Sequence, residues 1–129
     1  MFCADTSVWI QALLDRASPF ARHFAEVVEA DEIAVPAPVR IELLAGAPRR
    51  DFAALVDGFT GMAGLVPGHA TWDLVEGWVG KAVAAGQRFG LGDLLIGAIA
   101  AEQGAPVWSL DADFQRMQKL GFVELYAAP

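Results

Sequence analysis

Short apolar runs alternate along the chain with longer stretches in which apolar residues recur every three or four positions, a pattern that predicts strands interleaved with helices. Met1 to Ala4 is an apolar run ending at Asp5, and Thr6 and Ser7 suit a turn into a first helix from Val8 to about Leu14. A second helix is expected from about Pro19 to Ala30, with Phe20, Phe24, Val27 and Val28 at helical spacing and Arg22, Glu26 and Glu29 on the wet side. Ile33 to Val35 reads as a second short strand. Pro36 and Pro38 cannot continue it inside a sheet, but proline fits the first turn of a helix. A third helix therefore begins there, carries Glu42 about one turn in and stops near Gly46.

Arg49 to Phe59 predicts another helix, followed by the glycine-rich Gly61 to Gly64 and a weak strand at Leu65 and Val66. The next helix, about Ala70 to Ala85, has Trp72, Val75, Trp78, Val79 and Val83 on one apolar face and Gly86 as its stop. Leu91 to Gln103 is apolar on nearly every side, the mark of a buried helix, with Asp93 in its first turn and Gly104 at its end. Pro106 to Leu110 then reads as a strand, Asp111 to Leu120 as a turn and helix, and Phe122 to Leu125 as a last strand. Strands alternating with helices predict an α/β sandwich with a central, mainly parallel sheet flanked by helices. The 129 residues are expected to form one domain, 1–129, without internal repeats or long linkers.

Composition adds a second copy or a partner to this picture. The hydrophobic share of 55% is high for a small domain, so some apolar surface is expected to be covered by another chain. The most apolar segment, Leu91 to Ala101, is interrupted by Asp93, and no run reaches the roughly 18 residues that span a bilayer. The first residues carry no basic flank and do not read as a signal peptide, so a cytoplasmic location is expected. Cys3, the single cysteine, reads as a small buried apolar residue and offers no disulfide within the chain. A net charge of −7 weighs against nucleic-acid binding unless bound cations reverse the local field, and it also suits a basic partner.

Asp5, Glu42, Asp93 and Asp111 lie inside or at the end of apolar segments, where burying an unpaired carboxylate costs several kcal/mol as an order of magnitude. Few Lys or Arg residues are near them in the sequence, which leaves a divalent cation as the simplest compensation. In an open parallel sheet, ligands bind beyond the carboxyl ends of the strands. Asp5 and Asp111 follow predicted strands, while Glu42 and Asp93 sit near helix starts that favour negative charge. Each acid also has an ordinary role available: Asp5 and Asp111 or Asp113 as helix caps, Glu42 as a solvated residue. All-oxygen ligation suits Mg²⁺ or Mn²⁺, one or two ions, over Zn²⁺; His23 and His69 lack paired-ligand spacing and read as surface or helix-end residues. Two ions roughly 4 Å apart can activate a water, orient a phosphodiester and stabilise the leaving oxygen, so the residue types point to phosphodiester hydrolysis.

Four stretches, MFCADTSVWI, VRIELLAG, FGLGDLLIGAIA and VWSLDADF, occur in that order across nearly the whole chain. Together they resemble the PIN-domain ribonucleases and, among them, the VapC-type toxins of bacterial and archaeal toxin-antitoxin pairs. The resemblance implies a PIN-like three-layer sandwich and a Mg²⁺- or Mn²⁺-dependent endoribonuclease acting as the toxin of such a pair. It makes Asp5, Glu42, Asp93 and Asp111 the catalytic, metal-binding quartet, with Asp113 of the D-x-D-F segment as a further metal-site acid that acts directly or through a water. Thr6 and Ser7 match a small hydroxyl position beside the first acid, and Ser109 stands where the family commonly has Thr. A homodimer is also implied, with a VapB-like antitoxin whose basic or Arg-bearing C-terminal segment enters the acidic pocket, in keeping with the charge of that pocket. Arg40, Arg49, Arg50 and Arg88 are candidates for contacts to RNA phosphates, and Trp9 for core packing or for stacking on a base.

Three other readings compete. A response-regulator receiver would need adjacent acids after the first strand, where this chain has Asp5 alone, and a Lys after a late strand, whereas Lys119 falls in a helix. A haloacid-dehalogenase-type phosphatase would carry its D-x-D after the first strand. A non-catalytic binding module would use the acidic pocket only to capture a basic partner.

Overall fold

The computed structural model describes residues 1–128. Strands and helices follow in the order β1 (Phe2–Ala4), α1 (Thr6–Leu14), α2 (Pro19–Glu29), β2 (Ile33–Pro36), α3 (Ala37–Gly46), α4 (Phe52–Thr60), β3 (Ala63–Leu65), α5 (His69–Ala84), α6 (Leu91–Glu102), β4 (Val107–Trp108) and α7 (Ala112–Lys119). The strands form one parallel sheet in the order β3-β2-β1-β4. With the right-handed crossovers that parallel strands adopt, this order puts α1 to α4 on one face and α5 and α6 on the other, the α/β sandwich that the alternation predicts and the PIN-like layering that the resemblance implies. Both faces being covered explains why every residue of β1, β2 and β4 is buried.

The chain leaves β1 toward β2 on one side and returns to β4 on the other, so the strand order reverses beside β1. This is the place where an open parallel sheet forms a crevice. Ala4 and Trp108 are register partners at the ends of β1 and β4, and the Asp5 amide donates to the Trp108 carbonyl at 2.9 Å. The next residues of both strands therefore emerge side by side.

α6 crosses β1 and β2 with Leu94 through Ala100 all buried, the all-round apolar helix expected from the sequence. Gly97 faces Trp78 of α5, Met117 of α7 and Val123; a Cβ there would stand 3.2 Å from Trp78 Cζ3, 2.7 Å from Met117 Cε and 3.1 Å from Val123 Cγ1. Gly86 and Gly104 end α5 and α6 with φ of +72° and +62°, a conformation that glycine adopts without strain.

Several expectations need correcting. Pro36 belongs to β2, paired with Leu65 at the end of the strand, and also opens α3; proline is tolerated there because the ladder stops with it. The helix expected from Arg49 begins as a 3-10 turn, Arg49–Asp51, before α4. The last strand at Phe122 to Leu125 shrinks to a single bridge between Leu125 and Val107. In α5 the buried face is Thr71, Val75, Trp78 and Ala82, while Trp72, Val79 and Val83 are exposed. His23 is half-buried: its Nε2 lies 2.8 Å from the Tyr126 hydroxyl, and its ring packs against Trp108. Trp9 is buried between Phe24 and Phe59, which fulfils the core reading. Burial pushes the Cys3 thiol up to about 11, so it stays protonated and inert.

Candidate metal centre

Asp5 leaves β1 and caps α1, its Oδ1 accepting from the Val8 amide at 3.2 Å. The first turn of α1 and the end of the neighbouring strand β4 each supply a further partner. Ser7 Oγ donates to Asp5 Oδ1 and Ser109 Oγ to Oδ2, each at 2.5 Å. Both hydroxyls also accept from the loop after β4: Ser7 from the Leu110 amide at 3.0 Å, Ser109 from the Asp111 amide at 2.9 Å. Since each serine has one hydrogen, already given to Asp5, the two residues form a clasp that fixes Asp5 and the β4 loop together. Oδ1 has both lone pairs engaged; Oδ2 has one left for a further partner. Burial raises the Asp5 pKa above the usual range, the bonds from Ser109, Ser7 and Val8 oppose this, and the Asp111 charge adds to the rise.

Asp111 caps α7 by accepting from the Asp113 amide at 2.9 Å through Oδ1, so the ordinary capping roles of Asp5 and Asp111 are real and leave oxygens spare. Asp93 reaches the same place from the first turn of α6. One carboxylate oxygen from each of Asp93, Asp111 and Asp113 lies within 4.8 Å of the others. Asp93 is pushed up to about 6, first by burial, then by the charges of Asp111 and Asp113, a hydrogen bond with Asp113 and the charge of Asp5.

This donor set fits a hard divalent cation. Oxygens bound at roughly 2.0 to 2.5 Å from one ion lie up to about 5 Å apart, which matches the spacing of the three acids. Thr6 Oγ1, on the residue after Asp5, is buried and has no hydrogen-bond partner.

The placement differs from the sequence expectation in three ways. Asp5 and Glu42, expected in the metal-binding quartet, are not among the three acids that converge, whereas Asp113, expected as a further metal-site acid, is. Glu42 approaches from α3: its Oε1 is 3.5 Å from where a Cβ on Gly92 would be, one residue from Asp93. Only Asp5 is fully buried; Asp93 is half-buried, and Glu42 and Asp111 are exposed, so the argument from burial cost applies to two of the four. Nor is the centre without a basic neighbour, since Arg116 Nη2 pairs with Asp113 Oδ1 at 2.7 Å. The i, i+3 spacing on α7 could have revealed that pair. Nothing local could have revealed the serine clasp, whose members are 102 positions apart in the chain.

Of the four arginines expected near RNA, Arg40 is half-buried with its guanidinium over Phe59, 5.6 Å from the ring centroid. Arg50 is exposed and 4.0 Å from Asp51, and Arg49 and Arg88 are exposed. A mainly apolar groove of about 670 Å³ between α1, α3 and α4 is lined by Ile10, Leu13, Leu14, Leu43 and Leu55 together with the charged Arg16, Arg50, Asp51 and Glu42. It thus adjoins the acidic centre. No helix among the described residues is long and apolar enough to cross a membrane.

Comparison with known proteins agrees with this architecture. Residues 2–120 match the family model described as PIN domain. The curated Ribonuclease VapC18 of Mycobacterium tuberculosis is 30% identical over 122 residues, covering 91% of this chain and 87% of that protein. Among solved structures, VapBC2 from Rickettsia felis, bound to a DNA fragment from its promoter, superposes with a TM-score of 0.79 at 15% identity, covering 97% of this chain and 96% of the other. VapBC-5 from Mycobacterium tuberculosis superposes with a TM-score of 0.66 at 23% identity, covering 98% of both chains.

Proposed function

The chain belongs to the PIN-domain family, and from that premise we propose that it is a Mg²⁺- or Mn²⁺-dependent endoribonuclease, the toxin of a toxin-antitoxin pair, formed as one domain over residues 1–129. The observation that carries this reading is the approach of Asp93, Asp111 and Asp113 within 4.8 Å, beside the clasped Asp5, at the point where the strand order reverses. A bound divalent cation would supply Lewis-acid stabilisation of the charge developing on the scissile phosphate.

The residues of the chain do the rest. Ser7 and Ser109 aim Asp5 and favour its ionised form against the effect of burial, because both hydroxyls donate to it. Glu42 closes the centre from α3. Asp113, held on one side by Arg116, orients water at the rim. RNA is the proposed substrate because the curated relative is named a ribonuclease, and cleavage of RNA puts the work of the protein in the cytoplasm. Arg49 and Arg88 are exposed and can meet phosphates, Arg50 is exposed beside Asp51, and Arg40 is engaged with Phe59. The groove that ends at Glu42 suits an antitoxin segment that is apolar along its length and carries Arg at the acidic end.

The test is hydrolysis of RNA by the purified chain with Mg²⁺ or Mn²⁺. Chelation with EDTA abolishes cleavage, and Asp93→Asn lowers it at least about a hundredfold while circular dichroism and cooperative unfolding persist. Cleavage that survives both treatments would leave the acidic centre without a catalytic role. A folded, inert wild-type protein would favour the binding module.

A further inference from the structure

Arg116 is held more firmly than an ordinary surface ion pair. Its Nη2 donates to Asp113 Oδ1 at 2.7 Å and to the Arg88 carbonyl at 3.2 Å, and its Nη1 donates to Gln87 Oε1. The guanidinium lies over the Phe89 ring, 4.4 Å from the centroid. Gln87, Arg88 and Phe89 belong to the segment that leads through Gly90 into α6, whose first turn carries Asp93. A single side chain thus ties one of the three converging acids to the segment that presents another. Exposed ion pairs between mobile side chains contribute little, but a guanidinium fixed by four contacts holds its partner in one geometry.

The position of that charge matters for a cation. Arginine stays protonated at any working pH, so the centre always contains one fixed positive charge beside its acids. The oxygen of Asp113 that meets Arg116 is also the less available one for an ion. We propose that Arg116 is a positioning residue that keeps Asp113 from full ligation, so that Asp93 and Asp111 carry the ion and Asp113 stays at its edge. This inference rests on the metal-dependent reading above. Its consequence is that Arg116 weakens metal binding while supporting turnover, two effects that a purely structural residue would not set in opposition.

Calorimetric titration of Mn²⁺ into the metal-free protein reads the first effect. Arg116→Met is expected to bind Mn²⁺ about tenfold more tightly than wild type, as removal of one nearby positive charge implies. Arg116→Gln tightens binding likewise, and Arg116→Lys, which keeps the charge, stays within about threefold of wild type. With saturating Mn²⁺, the kcat of Arg116→Met for RNA falls while KM changes little. Equal or weaker Mn²⁺ binding by folded Arg116→Met and Arg116→Gln would overturn the proposal while leaving the nuclease reading intact. A wild-type protein that binds no Mn²⁺ would remove both.

Discussion

Asp5 and Asp93 carry the same charge and are held by opposite means. Asp5 is buried, yet two hydroxyls and an amide donate to it. Asp93 faces acids, and burial with the charges around it raises its pKa to about 6 from 3.8. The folded, metal-free protein therefore holds a proton on Asp93 more tightly than the unfolded chain does. The stabilisation from this proton is whole below the ordinary pKa and is lost as pH rises through about 6. Asp93→Asn lacks this titration. In EDTA, its stability relative to wild type should increase between about pH 4 and about pH 6 and then level off, as measured by urea unfolding. A difference that stays flat across this range would mean that neither burial nor the neighbouring acids raise the Asp93 pKa.

At the scale of elements, α6 couples core to centre: Leu94 to Ala100 fill the space above the sheet while Asp93 projects from the first turn. Gly97 lets α5 and α7 approach it. Gly97→Ala would gain about 1 kcal/mol in helix propensity, but the new methyl meets three side chains at once. Met117 Cε can swing away, whereas Trp78 is stacked on Phe122 at 4.6 Å and Val123 is buried, so the methyl has little room. Overpacking should prevail, with a net loss of about 1 to 3 kcal/mol in urea unfolding. A stabilised variant would show that the packing around α6 is looser than the contacts imply.

For the whole molecule, two of the exposed apolar surfaces are contiguous enough to suit partners. Trp72, Val79 and Val83 are 47%, 43% and 58% exposed on α5, and the groove beside Glu42 presents Ile10, Leu13 and Leu14. Two such surfaces on a small acidic chain suit two different partners, a second copy and an antitoxin segment. We expect the α5 face to carry the homodimer. Sedimentation velocity at micromolar concentration should give a dimer, and the double variant Val79→Glu, Val83→Glu a monomer that still unfolds cooperatively, with a midpoint lowered by loss of the association. A dimer that survives both changes would assign the contact to another face.

The amino-acid sequence determined the succession of strands and helices, the stops at Gly86 and Gly104 and the burial of α6, because these follow from local periodicity and backbone preference. It also singled out the acidic residues as candidates for chemistry, although Asp5 and Asp111 serve as helix caps as well and Glu42 and Asp111 are exposed. It misjudged α5, where two neighbouring stripes share Val75 and Trp78 and only contact with α6 selects the one carrying Thr71 and Ala82. It could not order the acids. That Ser109 joins Ser7 in clasping Asp5 depends on the reversal of strand order beside β1, which brings together residues about a hundred positions apart. Which three acids converge depends on how α6 and α7 pack, whereas the Arg116–Asp113 pair follows local helix spacing.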